Sequence, residues 1–83
     1  PVKMNRKYPK KNQAFIEFGK KFNKGKNIFN LSKNGDLKEA ANNLYKTMRN
    51  IKKKKFKSIA VTKIPNIGVG RAINDRLKKA SSK

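Results

Sequence analysis

Apolar residues along this chain switch between two spacings, and the switches divide it into short elements. Val2 to Asn5 alternates briefly and predicts a short strand. Tyr8-Pro9-Lys10-Lys11-Asn12-Gln13 is a polar connector. Ala14-Phe15-Ile16-Glu17-Phe18 is rich in strand formers and stops at Gly19, so a second strand is expected there. A basic loop containing Gly25 follows over residues 20–26, and Asn27-Ile28-Phe29-Asn30-Leu31-Ser32 reads as a third strand. At Asp36 the period changes. Leu37, Ala40, Ala41, Leu44, Met48 and Ile51 recur at helical spacing and form one apolar stripe. Asp36 suits an N-cap, and Glu39 three residues on completes a capping-box-like signal. Ile59-Ala60-Val61, with polar flanks, reads as a strand covered on both faces. Pro65 and Gly68 break the chain before a last helix from about Val69 to Ala80, with Val69, Ala72, Ile73, Leu77 and Ala80 on one face.

The predicted order is β-β-β-α-β-α. Strand, helix, strand from Ile28 to Val61 fits a parallel crossover. The expected class is therefore α/β, a small, mostly parallel sheet of about four strands with two main helices packed on it. Residues 1–83 form one domain, of which residues 1–13 are expected as a weakly ordered strand and connector. There is no internal repeat. No apolar run approaches the length of a membrane span, and no signal-peptide pattern opens the chain. The sequence starts Pro1-Val2-Lys3, so either its start was trimmed or it is cut from a longer polypeptide.

Charge complicates this picture. The net charge is +20 on 83 residues, with only Glu17, Asp36, Glu39 and Asp75 against 24 Lys and Arg. Self-repulsion of that size works against a compact chain and would be relieved by a polyanion or an acidic second domain. The carriers are 20 Lys and only 4 Arg, beside 11 Asn and 7 Ile. Nucleic-acid readers recruit Arg for its planar fork. The Lys excess therefore has two readings, a drift of composition towards residues of A/T-rich codons or a non-specific phosphate-binding surface. The chain has no Cys and no His. That removes disulfides, the common zinc sets, thiolate nucleophiles and the usual general base.

Candidate sites are few. Gly68-x-Gly70 before a helix has the form of a phosphate-binding turn but lacks the third glycine of a dinucleotide fingerprint. Its plain alternative is a tight turn with close helix packing. If an anion or nucleotide binds, the amides of Val69, Gly70 and Arg71 and the Arg71 side chain are the donors. Within Asn74-Asp75-Arg76, the adjacent Asp75 and Arg76 cannot pair along the helix. One of them is expected to reach a loop or another domain. Glu17 is expected on the solvent face of its strand. Lys52, Lys53, Lys54, Lys55 and Lys57 form a second candidate, a polyanion contact or simply a solvated loop. Phe15, Phe18, Phe22, Phe29, Tyr45 and Phe56 are stacking platforms or core residues. No paired carboxylates point to acid–base catalysis.

Three ordered segments carry a resemblance. They are Asn30-Leu31-Ser32, Gly35-Asp36-Leu37-x-Glu39-Ala40-Ala41-x-Asn43-Leu44-Tyr45, and Ile59-Ala60-Val61-x-x-Ile64-Pro65-x-x-Gly68-x-Gly70-x-Ala72-Ile73-Asn74-Asp75-Arg76-Leu77-x-x-Ala80. Together they resemble the C-terminal domain of two-domain threonylcarbamoyl-AMP synthases, whose N-terminal catalytic domain is of the YrdC type. The resemblance spans roughly residues 14 to 81. It implies a Rossmann-like α/β/α accessory domain of a cytoplasmic enzyme. That enzyme makes threonylcarbamoyl-AMP from L-threonine, bicarbonate and ATP with Mg, for modification of tRNA adenosine 37. It implies no cofactor and no catalytic residue in this segment, whose partner is the catalytic domain. The family's Arg-x-Leu-Asp element has no Asp here, where Met48-Arg49-Asn50-Ile51 stands. A stand-alone basic RNA- or DNA-binding module is the competing expectation.

Overall fold

The computed structural model describes residues 2–19 and 25–81. Six elements follow one another: β1 (Val2–Lys3), β2 (Gln13–Glu17), β3 (Ile28–Asn30), α1 (Leu37–Lys53), β4 (Ser58–Val61) and α2 (Val69–Ser81). This is the predicted order. The expected loop over residues 20–26 lies outside the described residues except for Gly25 and Lys26, and so does Phe22.

The four strands form one sheet in the order β1-β4-β2-β3, and all three pairings are parallel. Register sorts the side chains. Ala14 pairs with Ile59 and Ile16 with Val61, while Val2 also pairs with Ile59. Val2, Ala14, Ile16 and Val61 share a core cluster with Ala40, Leu44 and Ile51 of α1 and Ile73 and Leu77 of α2. Both helices thus cover one face of the sheet. Phe15 and its register partner Ala60 belong to the opposite face and are equally buried.

Direction explains this layering. Right-handed crossovers put connections that run opposite ways along a sheet on opposite faces. The step from β3 back to β4 carries α1. The steps into β2 and β3 run the other way, and residues 4–12 make the first of them without a helix. Among the described residues the α/β/α layering implied by the resemblance is accordingly reduced to helices on one face. The connector is too short to build a helix on the other.

Local chemistry sets the ends of α1. Asp36 Oδ1 accepts the N–H groups of Lys38 and Glu39 at 2.9 and 3.3 Å, as an N-cap does. The reciprocal bond of a capping box is made by another residue than the predicted Glu39. The Asp36 N–H donates to Ser32 Oγ at 2.9 Å, because the turn after β3 brings Ser32 closer than a side chain one helical turn on. At the other end the N–H of Lys54 reaches the carbonyls of Asn50 and Ile51, and Lys55 takes φ +54°.

Two side-chain placements differ from expectation. Glu17 is only 3% exposed, not on a solvent face. Strand β2 lies between β4 and β3 with both faces covered, so all five of its residues are buried and alternation loses its meaning. On α2 the buried positions are Gly70, Ile73, Asn74 and Leu77, while Val69, Ala72 and Ala80 are exposed. The helix is turned so that its glycine, not its valine, meets the preceding loop.

Candidate functional site

Parallel strands give the sheet two chemically different edges. The carboxyl edge carries the ends of the strands and the starts of both helices, the usual location of binding loops in α/β folds. The predicted 68–71 turn lies there, between β4 and α2. Gly68 adopts φ +51°, a conformation that glycine tolerates best. Gly70 is buried, and a Cβ built on it would overlap the Pro65 carbonyl oxygen and come within 3.2 Å of Leu37 Cδ2. The turn is therefore a close-packed joint between the loop after β4 and the two helices.

Its amides are already engaged in part. The Gly70 N–H donates to the Ile67 carbonyl at 2.9 Å, and the Arg71 N–H to the Gly68 carbonyl at 3.1 Å. Outward, the turn presents Ile67 at 65% exposure and Val69 at 39%, with Arg71 exposed beside them. Two apolar side chains in water next to one cation have the character of a contact surface more than of an anion cradle.

In the adjoining Asn74-Asp75-Arg76 the three residues have different surroundings. Asn74 is the residue that reaches a loop. It is buried, and its Nδ2 donates to the Ile64 carbonyl at 2.9 Å and lies 3.4 Å from Asn66 Oδ1. Asp75 stays on the helix and pairs with Lys79 at 3.4 Å, both well exposed. Arg76 is exposed on the same helix. The chain selects Asn74 because its position shares the buried side with Ile73 and Leu77.

Asn74 belongs to a pattern that composition concealed. Asn27, Asn30 and Asn43 also donate Nδ2 to backbone carbonyls of other segments, those of Gln13, Gly19 and Leu31, at 2.8 to 3.2 Å. These bonds satisfy carbonyls that the short strands leave without ladder partners. Asn30 Nδ2 also lies 3.4 Å from Glu17 Oε1. Gln13 Nε2 donates to Ser58 Oγ at 2.9 Å.

The amino edge is basic. Lys10 and Lys11 precede β2, Lys26 precedes β3, Lys52 and Lys53 end α1, and Lys54, Lys55 and Lys57 lie between α1 and β4. The last five of these lysines are all exposed. Lys54 Nζ lies 5.6 Å from the centroid of Phe29, whose ring meets that of Phe56 edge-on at 6.1 Å. The aromatics divide accordingly. Phe15 is core, Phe18, Phe29 and Phe56 are half-buried, and Tyr45 stands 63% exposed on α1.

The acids sit elsewhere. Glu17 ends β2, while Asp36 and Glu39 open α1, so all three belong to the carboxyl edge; Asp75 is mid-helix in α2. Among the described residues no cluster of acids could hold a metal ion. Asp36 is spent as a cap, Asp75 on Lys79, and Glu17 is buried beside Asn30. Among the described residues these acids form no arrangement of nucleophile, base and orienting group.

Fold and site together define a small parallel α/β domain with a packed helix joint at one edge and a cationic surface at the other. A family model confirms and sharpens this class: threonylcarbamoyl-AMP synthase, C-terminal domain, matches residues 2–82. The chain belongs to that family. Comparison with curated proteins and with solved structures returns no match. Among the described residues no helix is long and apolar enough to cross a membrane.

Proposed function

We propose that the chain is the accessory domain of a cytoplasmic enzyme that condenses L-threonine, bicarbonate and ATP into threonylcarbamoyl-AMP, releasing pyrophosphate. The product serves the modification of adenosine 37 in tRNA. ATP and its Mg are assigned to the YrdC-type catalytic domain of the same polypeptide, and no catalytic step to the residues of this one. The observation that carries the reading is the family match over nearly the whole chain. Within it, the 67–71 turn is the proposed contact with the catalytic domain or its linker. Its exposed Ile67 and Val69 supply apolar area, and Arg71 supplies a charge for an acidic partner. The stiff joint at Gly70 holds them in place.

Two measurements test this. The intact mass of the native polypeptide is expected to be several-fold above the 9.5 kDa of this chain. That polypeptide is expected to release pyrophosphate only when threonine and bicarbonate are both present, and the 83-residue domain by itself to release none. A native mass of 9.5 kDa overturns the two-domain reading. Pyrophosphate release by the isolated domain overturns its non-catalytic role. The second reading, a basic RNA- or DNA-binding module, is favoured by one observation: eight lysines gather on an edge that holds none of the four acids.

A further inference from the structure

Beside the basic edge, two hollows meet on the helical side of the molecule. The smaller, about 390 Å³, opens along the seam of α1 and α2 over Leu44 and Leu77. The larger, about 600 Å³, opens towards the starts of β1 and β4 over Val2, Phe56 and Ile59. Tyr45, Met48 and Ala80 line both, so the two form one furrow with Tyr45 at the join. Each half has its own cations. Arg76 and Lys79, the latter paired with Asp75, line the smaller, and Arg49, Lys52, Lys55 and Lys57 the larger. None of the four acids lines either half.

We propose that this furrow holds a single-stranded segment of RNA, with Tyr45 as the stacking platform and Arg49 and Arg76 on the phosphates to either side. Four observations converge. Tyr45 is a large aromatic at 63% exposure, where a helix residue facing a core would be covered. The Arg49 guanidinium lies 5.7 Å from its ring centroid, an arrangement that orients the ring and adds a cation to the same spot. The floor is apolar and the rim cationic, which suits flat bases below a charged backbone. Two of the chain's four Arg, the side chain best matched to phosphate, line this furrow. An acidic peptide would satisfy the rim but leave the exposed ring without a flat partner. The choice of RNA over DNA rests on the synthase reading above; the single-stranded stacking site does not.

The test is a fluorescence-anisotropy titration of the native polypeptide with a labelled single-stranded RNA of roughly ten nucleotides. Threonine-dependent pyrophosphate release is measured in parallel. Tyr45→Ala is expected to weaken binding about tenfold at fixed salt and to leave the salt slope unchanged, because it removes a stack and no charge. Tyr45→Phe is expected to bind as the parent does. Arg49→Gln and Arg76→Gln are each expected to lower the slope of log affinity against log salt by about 0.7. Tyr45 is an exposed helix position, so Tyr45→Ala keeps the helix, and a thermal melt confirms it. Unchanged affinity in a folded Tyr45→Ala protein overturns the proposal. So does displacement of the RNA by polyglutamate at equal concentration, whereas equal displacement by single-stranded DNA overturns the choice of RNA and keeps the stacking site. RNA binding that depends on Tyr45 without any pyrophosphate release sustains the furrow and overturns the synthase reading alone.

Discussion

Single residues at the turn into α2 decide how the last third of the chain packs. Gly68 and Gly70 look alike in the sequence but serve different needs. Gly68 needs its backbone angle, and nothing lies within 4 Å of where a Cβ would be. Gly70 needs space against the Pro65 carbonyl, a backbone group that cannot turn aside as a flexible side chain can. Gly68→Ala is expected to cost about 1–2 kcal/mol, the penalty for a left-handed conformation. Gly70→Val is expected to cost about 3 kcal/mol or more, since it forces the helix start away from its loop. Urea denaturation of the two variants checks the order. A Gly70→Val protein as stable as Gly68→Ala would mean the joint is loose. The glycines were legible as a turn from the sequence. Which of them carries the steric constraint was not, because that constraint comes from Pro65 folding back against the helix.

At the scale of elements, helical spacing located both helices, and for α1 it also gave the buried side. Ala40, Leu44 and Ile51 are buried as the stripe predicts, with Leu37, Ala41 and Met48 partly so. In α2 the same reasoning chose a side shifted around the axis. Ile73 and Leu77 lie on both sides, and apolar spacing assigns Val69, Ala72 and Ala80 to the covered one. The fold covers Gly70 and Asn74 instead, because Gly70 allows the closest approach and Asn74 caps the Ile64 carbonyl from the inside. The difference is measurable. Ile73→Ala is expected to destabilise the domain by about 2–5 kcal/mol, as a core truncation does. Ala72→Ser is expected to stay within about 0.5 kcal/mol of the parent, as an exposed change does. Equal effects in thermal or chemical denaturation would reverse the assignment of faces. The strands show the same limit. Their positions were legible from β-formers, but the inward turn of Glu17 follows from β2 having a strand on each side.

For the whole molecule, the parallel sheet converts a chain that is basic throughout into one with two distinct edges. Every connection from a strand end back to a strand start crosses the molecule. Lysines that precede strands therefore collect at one edge, while Asp36 and Glu39, which open α1, stand at the other. Repulsion within the basic edge sets a limit on stability that salt relieves. Raising ionic strength from about 0.01 M to about 0.15 M shortens the screening length from about 30 Å to about 8 Å. That is less than the 21 Å of the molecule's shortest dimension. The melting temperature is therefore expected to rise over this interval in a scan of sodium chloride. A melting temperature that falls with salt would show that attractive pairs outweigh the repulsion. The paired exposed ions Asp75 and Lys79 are too weak to produce that result.

The residues by themselves determined the element order, the α/β class, the N-cap at Asp36 and the family, because these depend on spacing and local chemistry within a few positions. Only the tertiary structure decided the strand order β1-β4-β2-β3, the burial of Glu17 and Asn74, and the gathering of eight lysines on an edge without acids. It also brought Tyr45, Met48 and Ala80 together into one furrow. Each of these joins residues far apart in the chain. The physical reason is that hydrophobic spacing says which side of an element is covered but not by what, and the covering partner sets the chemistry of the surface left exposed.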